Sequence, residues 1–87
     1  MTPINPLRET RERLNLSRHE LALMANTSIV AIYNAERGSL TRVPESICKV
    51  LAGLAVDVDR LQDDYKAWRM AEGRRVFIET RQGFGAR

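Results

Sequence analysis

Apolar residues recur at steps of three and four along nearly the whole chain up to Trp68, the period with which one face of an α-helix returns. Asn5-Pro6 offers an N-cap followed by proline at the first helical position, where its missing N–H costs nothing. Leu7, Arg11 and Leu14 then share one side of a helix from about Pro6 to Leu14. Ser17-Arg18-His19-Glu20 has the capping-box pattern, the serine oxygen accepting from the Glu20 amide while the Glu20 carboxylate reaches back to the Ser17 amide. A second helix therefore starts there, with Leu21, Met24 and Ala25 as its inward stripe. Asn26 suits the left-handed conformation that ends a helix, and Thr27 or Ser28 caps a third helix running from about Ser28 to Arg37. Ile32 and Ala35 face inward from it, and Arg37-Gly38 supplies a cation and a permissive residue at its C-terminus. After a loop, Pro44 opens a fourth helix whose stripe of Ile47, Val50, Leu51 and Leu54 ends near Ala55. Asp57 caps a fifth, with Val58, Leu61, Tyr65 and Trp68 on one face, reaching about Glu72 before Gly73 stops it. Arg75-Val76-Phe77-Ile78-Glu79 reads as a short strand or, given Gly83, Gly85 and the terminal Arg87, as part of a mobile tail. The pattern predicts an all-α fold: a compact five-helix domain over 1–72 with an extended fifth helix, then a short basic tail over 73–87, disordered or forming a strand or arm.

Composition narrows the function. A chain of 87 residues buries only a little over ~60% of its unfolded surface, so the core must be economical and an elaborate catalytic cleft is not expected. No apolar run approaches the ~20 residues that span a bilayer, and the N-terminus lacks the basic start and apolar stretch of a secretory signal. The expectation is a cytoplasmic protein without membrane contact. Cys48 and His19 are single, which excludes an internal disulfide and a structural zinc site of ordinary ligand count, and no metal or cofactor is expected. Cys48 beside the Ile47 stripe reads as a buried small hydrophobe. The net charge of +3 favours an anionic partner, with basic side chains concentrated toward both ends and an acidic middle. In that middle, Asp57, Asp59, Asp63 and Asp64 read as a cap and a solvated face instead of paired catalytic carboxylates, so the chain is not expected to be an enzyme.

Two short helices separated by three or four residues, the second opened by a hydroxyl residue, form a helix-turn-helix, which presents its second helix to the major groove of DNA. The run LSRHELALMANTSIVAIYNAERG, from Leu16 to Gly38, resembles without a gap the Xre-type family of Cro and phage repressors. ICKVLAGLAVDVDRL, from Ile47 to Leu61, looks like that family's fourth helix and the start of its fifth. The resemblance implies a repressor-like helix-turn-helix domain that binds double-stranded DNA sequence-specifically. It further implies a transcriptional regulator, read as a repressor, of phage, plasmid or bacterial origin, acting in the cytoplasm at the nucleoid.

Since Ile32 and Ala35 point inward, Ile29, Val30, Tyr33 and Asn34 point outward and become the candidates for base contact. Asn34 can pair twice with an adenine edge. Ile29 and Val30 depart from the family's pattern, which often has glutamine, arginine or serine there; such side chains touch at most thymine methyls. They also support a rival reading, a protein-interaction module such as the antitoxin or partner half of a regulatory pair, because exposed apolar clusters mark such sites. For phosphate contact the resemblance implies Arg18 at the start of the second helix, Ser28, and the loop residues Arg37, Thr41 and Arg42. Arg37 is equally suited to capping the third helix. His19 reads as an ordinary exposed residue. The resemblance also implies a scaffold ion pair between Arg11 and Glu36. Tyr65 and Trp68 either close the core or pack across a two-fold axis, the homodimer being the favoured expectation because aromatic residues are enriched at interface centres. Arg69, Arg74, Arg75, Arg81 and Arg87 form either an arm along the DNA or a solvated end.

Overall fold

Helix ends in this chain are set by short-range hydrogen bonds. The computed structural model describes residues 4–85, and the side chains through Gly73. Among the described residues it is all-helical, with α1 Pro6–Arg13, α2 Arg18–Met24, α3 Ile29–Arg37, α4 Glu45–Gly53 and α5 Val58–Gly85. Asn5 caps α1, its Oδ1 accepting from the Leu7 and Arg8 amides at 2.7 and 3.2 Å. Both halves of the Ser17–Glu20 capping box are formed at 3.0 Å. The Ser17 amide and hydroxyl thereby hold the Glu20 carboxyl below the usual carboxylate range. Ser28 caps α3 by accepting from the Ala31 amide, and Asp57 caps α5 by accepting from the Arg60 amide.

At their C-termini, α1 to α4 end alike. Asn15, Asn26, Gly38 and Ala55 all have positive φ. The residue after each donates its amide back to a carbonyl of the last turn: Leu16 to Arg11, Thr27 to Ala22, Ser39 to Asn34 and Val56 to Leu51, at 3.0–3.1 Å. This reversal satisfies helix-end carbonyls without lengthening the connection, which lets five helices fold on a short chain.

Leu7, Leu21, Ile32, Val43, Ile47, Leu51 and Tyr65 are fully buried, and Ala22, Ala25, Ala35 and Leu61 complete the core. The small side chains of Ala22, Ala25 and Ala35 let α2 and α3 approach closely. α1 packs on α5 and α3, and α4 on α2 and α5. The inward face of α2 is thus Leu21, Ala22 and Ala25, not the expected Leu21, Met24 and Ala25; Met24 is exposed at the end of the helix, where no other element covers it.

The second difference concerns α5. Gly73 does not stop it, and the backbone continues as helix to Gly85 where a strand or mobile tail was expected. An interior glycine costs about 1 kcal/mol against alanine. Here the helix-forming Lys66, Ala67, Arg69, Met70, Ala71 and Glu72 precede it and two arginines follow, so propagation outweighs that cost. A helix of 28 residues is about 42 Å long, which accounts for most of the 50 Å long axis of the molecule.

Candidate functional site

The C-terminal end of α3 is held from behind by donors of α5 and of Asn5, the residue that caps α1. At the C-terminus of α3, Asn5 Nδ2 donates to the carbonyls of Ala35 and Glu36 at 3.2 and 2.6 Å. The Tyr65 hydroxyl donates to Ala35 at 2.7 Å, with the Leu40 carbonyl 3.2 Å away, and Arg69 Nε donates to Gly38 at 3.0 Å. These carbonyls form the negative end of the α3 dipole, so α1 and α5 hold it by donors of the right polarity. Trp68 lies beneath the same turn: a Cβ on Gly38 would sit 2.7 Å from a carbon of the indole. The N-terminal half of α3 stands out from this anchorage, with Ile29 48%, Val30 60% and Tyr33 47% exposed and Asn34 half-buried beside them.

Charge under that surface is arranged with one sign outward. The Glu36 side chain, 3% exposed, accepts from Arg11 Nε at 2.8 Å and Nη2 at 3.2 Å, and from Arg18 Nε at 3.1 Å. Arg11 also donates to the Leu16 carbonyl at 2.7 Å and is itself buried. One carboxylate therefore meets two guanidinium groups, and the partly exposed Arg18 leaves the surplus positive charge on the outside. The Arg18 and Arg37 guanidinium carbons lie 5.8 and 5.5 Å from the centre of the Tyr33 ring, within range of cation–π attraction to one aromatic face-bearing side chain. Exposed Thr41 and Arg42 follow in the loop before α4.

That loop is fixed by Gln62 of α5. Its Oε1 accepts from the Val43 amide at 3.0 Å and its Nε2 donates to the Val43 carbonyl at 2.8 Å, reproducing the pairing of a neighbouring strand. Nε2 is also 3.2 Å from Cys48 Sγ. Cys48 is half-buried, and that burial pushes its thiol up, away from the thiolate form.

Of the residues expected at the site, the structure brings Ile29, Val30, Tyr33, Arg18 and Arg37 together, with Ser28 and Asn34 flanking them and Thr41 and Arg42 on the next loop. The expected Arg11–Glu36 pair is formed. Arg18, expected at phosphate, spends its Nε on Glu36 because a buried carboxylate lies within reach across α3. Arg37 lies over Tyr33 rather than on the helix-end carbonyls, which Asn5, Tyr65 and Arg69 already occupy.

Tyr65 is not at an interface: it is fully buried with its hydroxyl bonded, and Trp68 is half-buried against the core. Both serve to close the domain over α3, since the C-terminal carbonyls there need donors and the glycine turn leaves room for an indole. The rings lie 5.8 Å apart, tilted by 40°, within the favourable range for an aromatic pair. Arg69 is likewise tied to Gly38 instead of forming part of an arm, and the side chains of Arg74, Arg75, Arg81 and Arg87 lie outside those described.

Sequence reasoning missed Gln62 and the second role of Asn5. A polar residue adjoining the buried Leu61 and Tyr65 was the available signal for Gln62. It also missed the exposed Leu23, 69% accessible on α2 next to Met24. Among the described residues no three His, Cys, Asp or Glu side chains are placed to hold a metal ion, and no helix is long and apolar enough to cross a membrane. No family model matches the chain, and comparison with curated proteins and with solved structures finds no similar protein.

Proposed function

We propose that this chain binds double-stranded DNA as a sequence-specific transcriptional regulator, a repressor in its simplest form, by laying α3 in the major groove. The observation that carries the reading is the exposed N-terminal half of α3, with Arg18 and Arg37 against Tyr33, over a Glu36 whose charge is already matched from below. A helix fits the major groove, about 12 Å wide, and a groove walled by phosphates favours cations beside it and penalises carboxylates. Ser28 still has its hydroxyl hydrogen to give after accepting from Ala31, and Arg42 and Thr41 sit on a loop that Gln62 holds in place. These are the phosphate ligands of the proposal; Ile29, Val30, Tyr33 and Asn34 are the base-facing side chains. No catalysis, metal or cofactor is involved, and the setting is the cytoplasm.

Two copies act on adjacent half-sites about one helical turn apart. Since Tyr65 is wholly buried, the pairing surface is assigned to α5 from the half-buried Trp68 onward, where Met70 is exposed. Selection from a random duplex pool followed by salt titration tests the reading. A palindromic half-site and a log–log salt slope near about −5, for three phosphates neutralised per protomer, are expected. No enrichment and no salt-dependent binding would overturn it.

Leu23 and Met24, exposed on α2 just before the turn, favour a second reading, in which this edge of the helix-turn-helix docks a partner protein. Recovery of that partner by a chain that ignores DNA would support it.

A further inference from the structure

We infer that the first turn of α3 recognises the C5-methyl groups of thymine, so that the preferred duplex carries thymines where Ile29 and Val30 meet the major groove; this rests on the duplex-binding reading above. Ile29 and Val30 are the first two residues of α3, largely exposed, and offer neither donor nor acceptor. They cannot read the hydrogen-bonding edges of bases. In the major groove the one apolar feature that distinguishes a base is the thymine methyl. β-Branched side chains are suited to this contact, because in a helix they hold essentially one χ1 rotamer and lose little freedom on binding.

What surrounds them selects the occupant. A cationic border favours an anionic occupant, and here two guanidinium groups lie over Tyr33, one turn along α3, with Arg42 following on the next loop. Glu36, the carboxylate of α3, is buried against Arg11 and Arg18. An anionic surface bearing small apolar knobs satisfies both the aliphatic tip and its border, and a thymine-bearing duplex is such a surface.

The test uses the full chain and the duplex recovered by selection, with each thymine replaced in turn by deoxyuracil, which differs only in lacking the methyl. Binding is read by fluorescence anisotropy. One or two thymines per half-site should each cost about three- to fivefold in affinity when demethylated, the loss expected for one buried methyl. The doubly substituted Ile29→Ser, Val30→Ser protein should bind the thymine and uracil duplexes alike. Both positions are exposed in the first turn, where serine is tolerated, and an unchanged melting temperature verifies folding. 5-Methylcytosine in place of cytosine at those positions, in an otherwise weak C-containing variant, should restore part of the affinity. Equal binding of the thymine and uracil duplexes by the unmodified protein, or duplex binding with no preferred sequence, overturns the methyl reading and leaves DNA binding standing. Absence of binding to any duplex at low salt overturns both.

Discussion

The Tyr65 hydroxyl donates to the Ala35 carbonyl at 2.7 Å, tying the N-terminal third of α5 to the C-terminal turn of α3 across 30 residues of sequence. Ala35 is also bonded by Asn5, so the contact shares an acceptor with α1. Removing the hydroxyl leaves the ring packed but takes a donor from the Ala35 and Leu40 carbonyls. Tyr65→Phe should cost about 0.5–1.5 kcal/mol in urea unfolding with an unchanged m-value. Burial holds the Tyr65 phenol above its ordinary value. Above about pH 10 the unfolded chain therefore releases this proton before the folded one does, and stability present at lower pH is lost as pH rises through the native value. The stability of Tyr65→Phe should fall less steeply over that range.

Glu36 joins Arg11 and Arg18 beneath the candidate surface. Glu36→Ala leaves the buried Arg11 without its carboxylate and should cost roughly 3–5 kcal/mol, enough to unfold much of a domain of this size. Replacing both partners, as in Arg11→Met with Glu36→Leu, should restore most of the loss in thermal melts. Equal destabilisation of the single and double variants would show that the pair is not the source.

Gly38 faces two constraints at once. Its φ is +83°, and a Cβ there would lie 2.7 Å from the Trp68 ring. Gly38→Ala should cost at least about 2 kcal/mol, combining left-handed strain with displacement of the indole. Trp68 fluorescence should shift in the folded state of that variant. Adding Trp68→Leu should remove the steric part and leave the backbone part.

Gly53 and Ala55 have each other's best residue. Ala55 takes a positive φ of 66°, while Gly53 is the last residue of α4, with nothing within 4 Å of an added Cβ. Ala55→Gly should stabilise by roughly 0.5–1 kcal/mol through relief of strain, net of the added freedom of the unfolded chain. Gly53→Ala should add a similar amount by helix propensity. Calorimetry of the two single variants checks each sign separately.

On the proposed DNA surface, Arg42 and Asn34 should behave differently. Arg42→Ala is expected to weaken binding to all duplexes together and to reduce the salt slope by about one per protomer. Asn34→Ala should weaken the selected site by about 1–3 kcal/mol and leave non-specific binding nearly unchanged. Uniform losses in both would reject the division into phosphate and base contacts.

The chain itself dictated the starts and most of the stops of its helices, because a cap acts within one turn and needs only the residues that form it. Asn5-Pro6, Ser17 with Glu20, Asn26, Ser28, Gly38 and Asp57 all occupy the places their chemistry suggests. The end of α4 near Ala55 was legible in its apolar stripe, but the left-handed backbone of Ala55 was not, since alanine has no preference for that region. Tertiary structure decided which apolar residues were covered: Tyr65 turned inward because the end of α3 offered it an acceptor, and Met24 stayed outside because no element reached it. It also decided where Arg18 went, toward a carboxylate 18 residues away in sequence. Periodicity says which residues share a face, but what lies opposite that face comes from segments distant along the chain, and no local pattern carries that information.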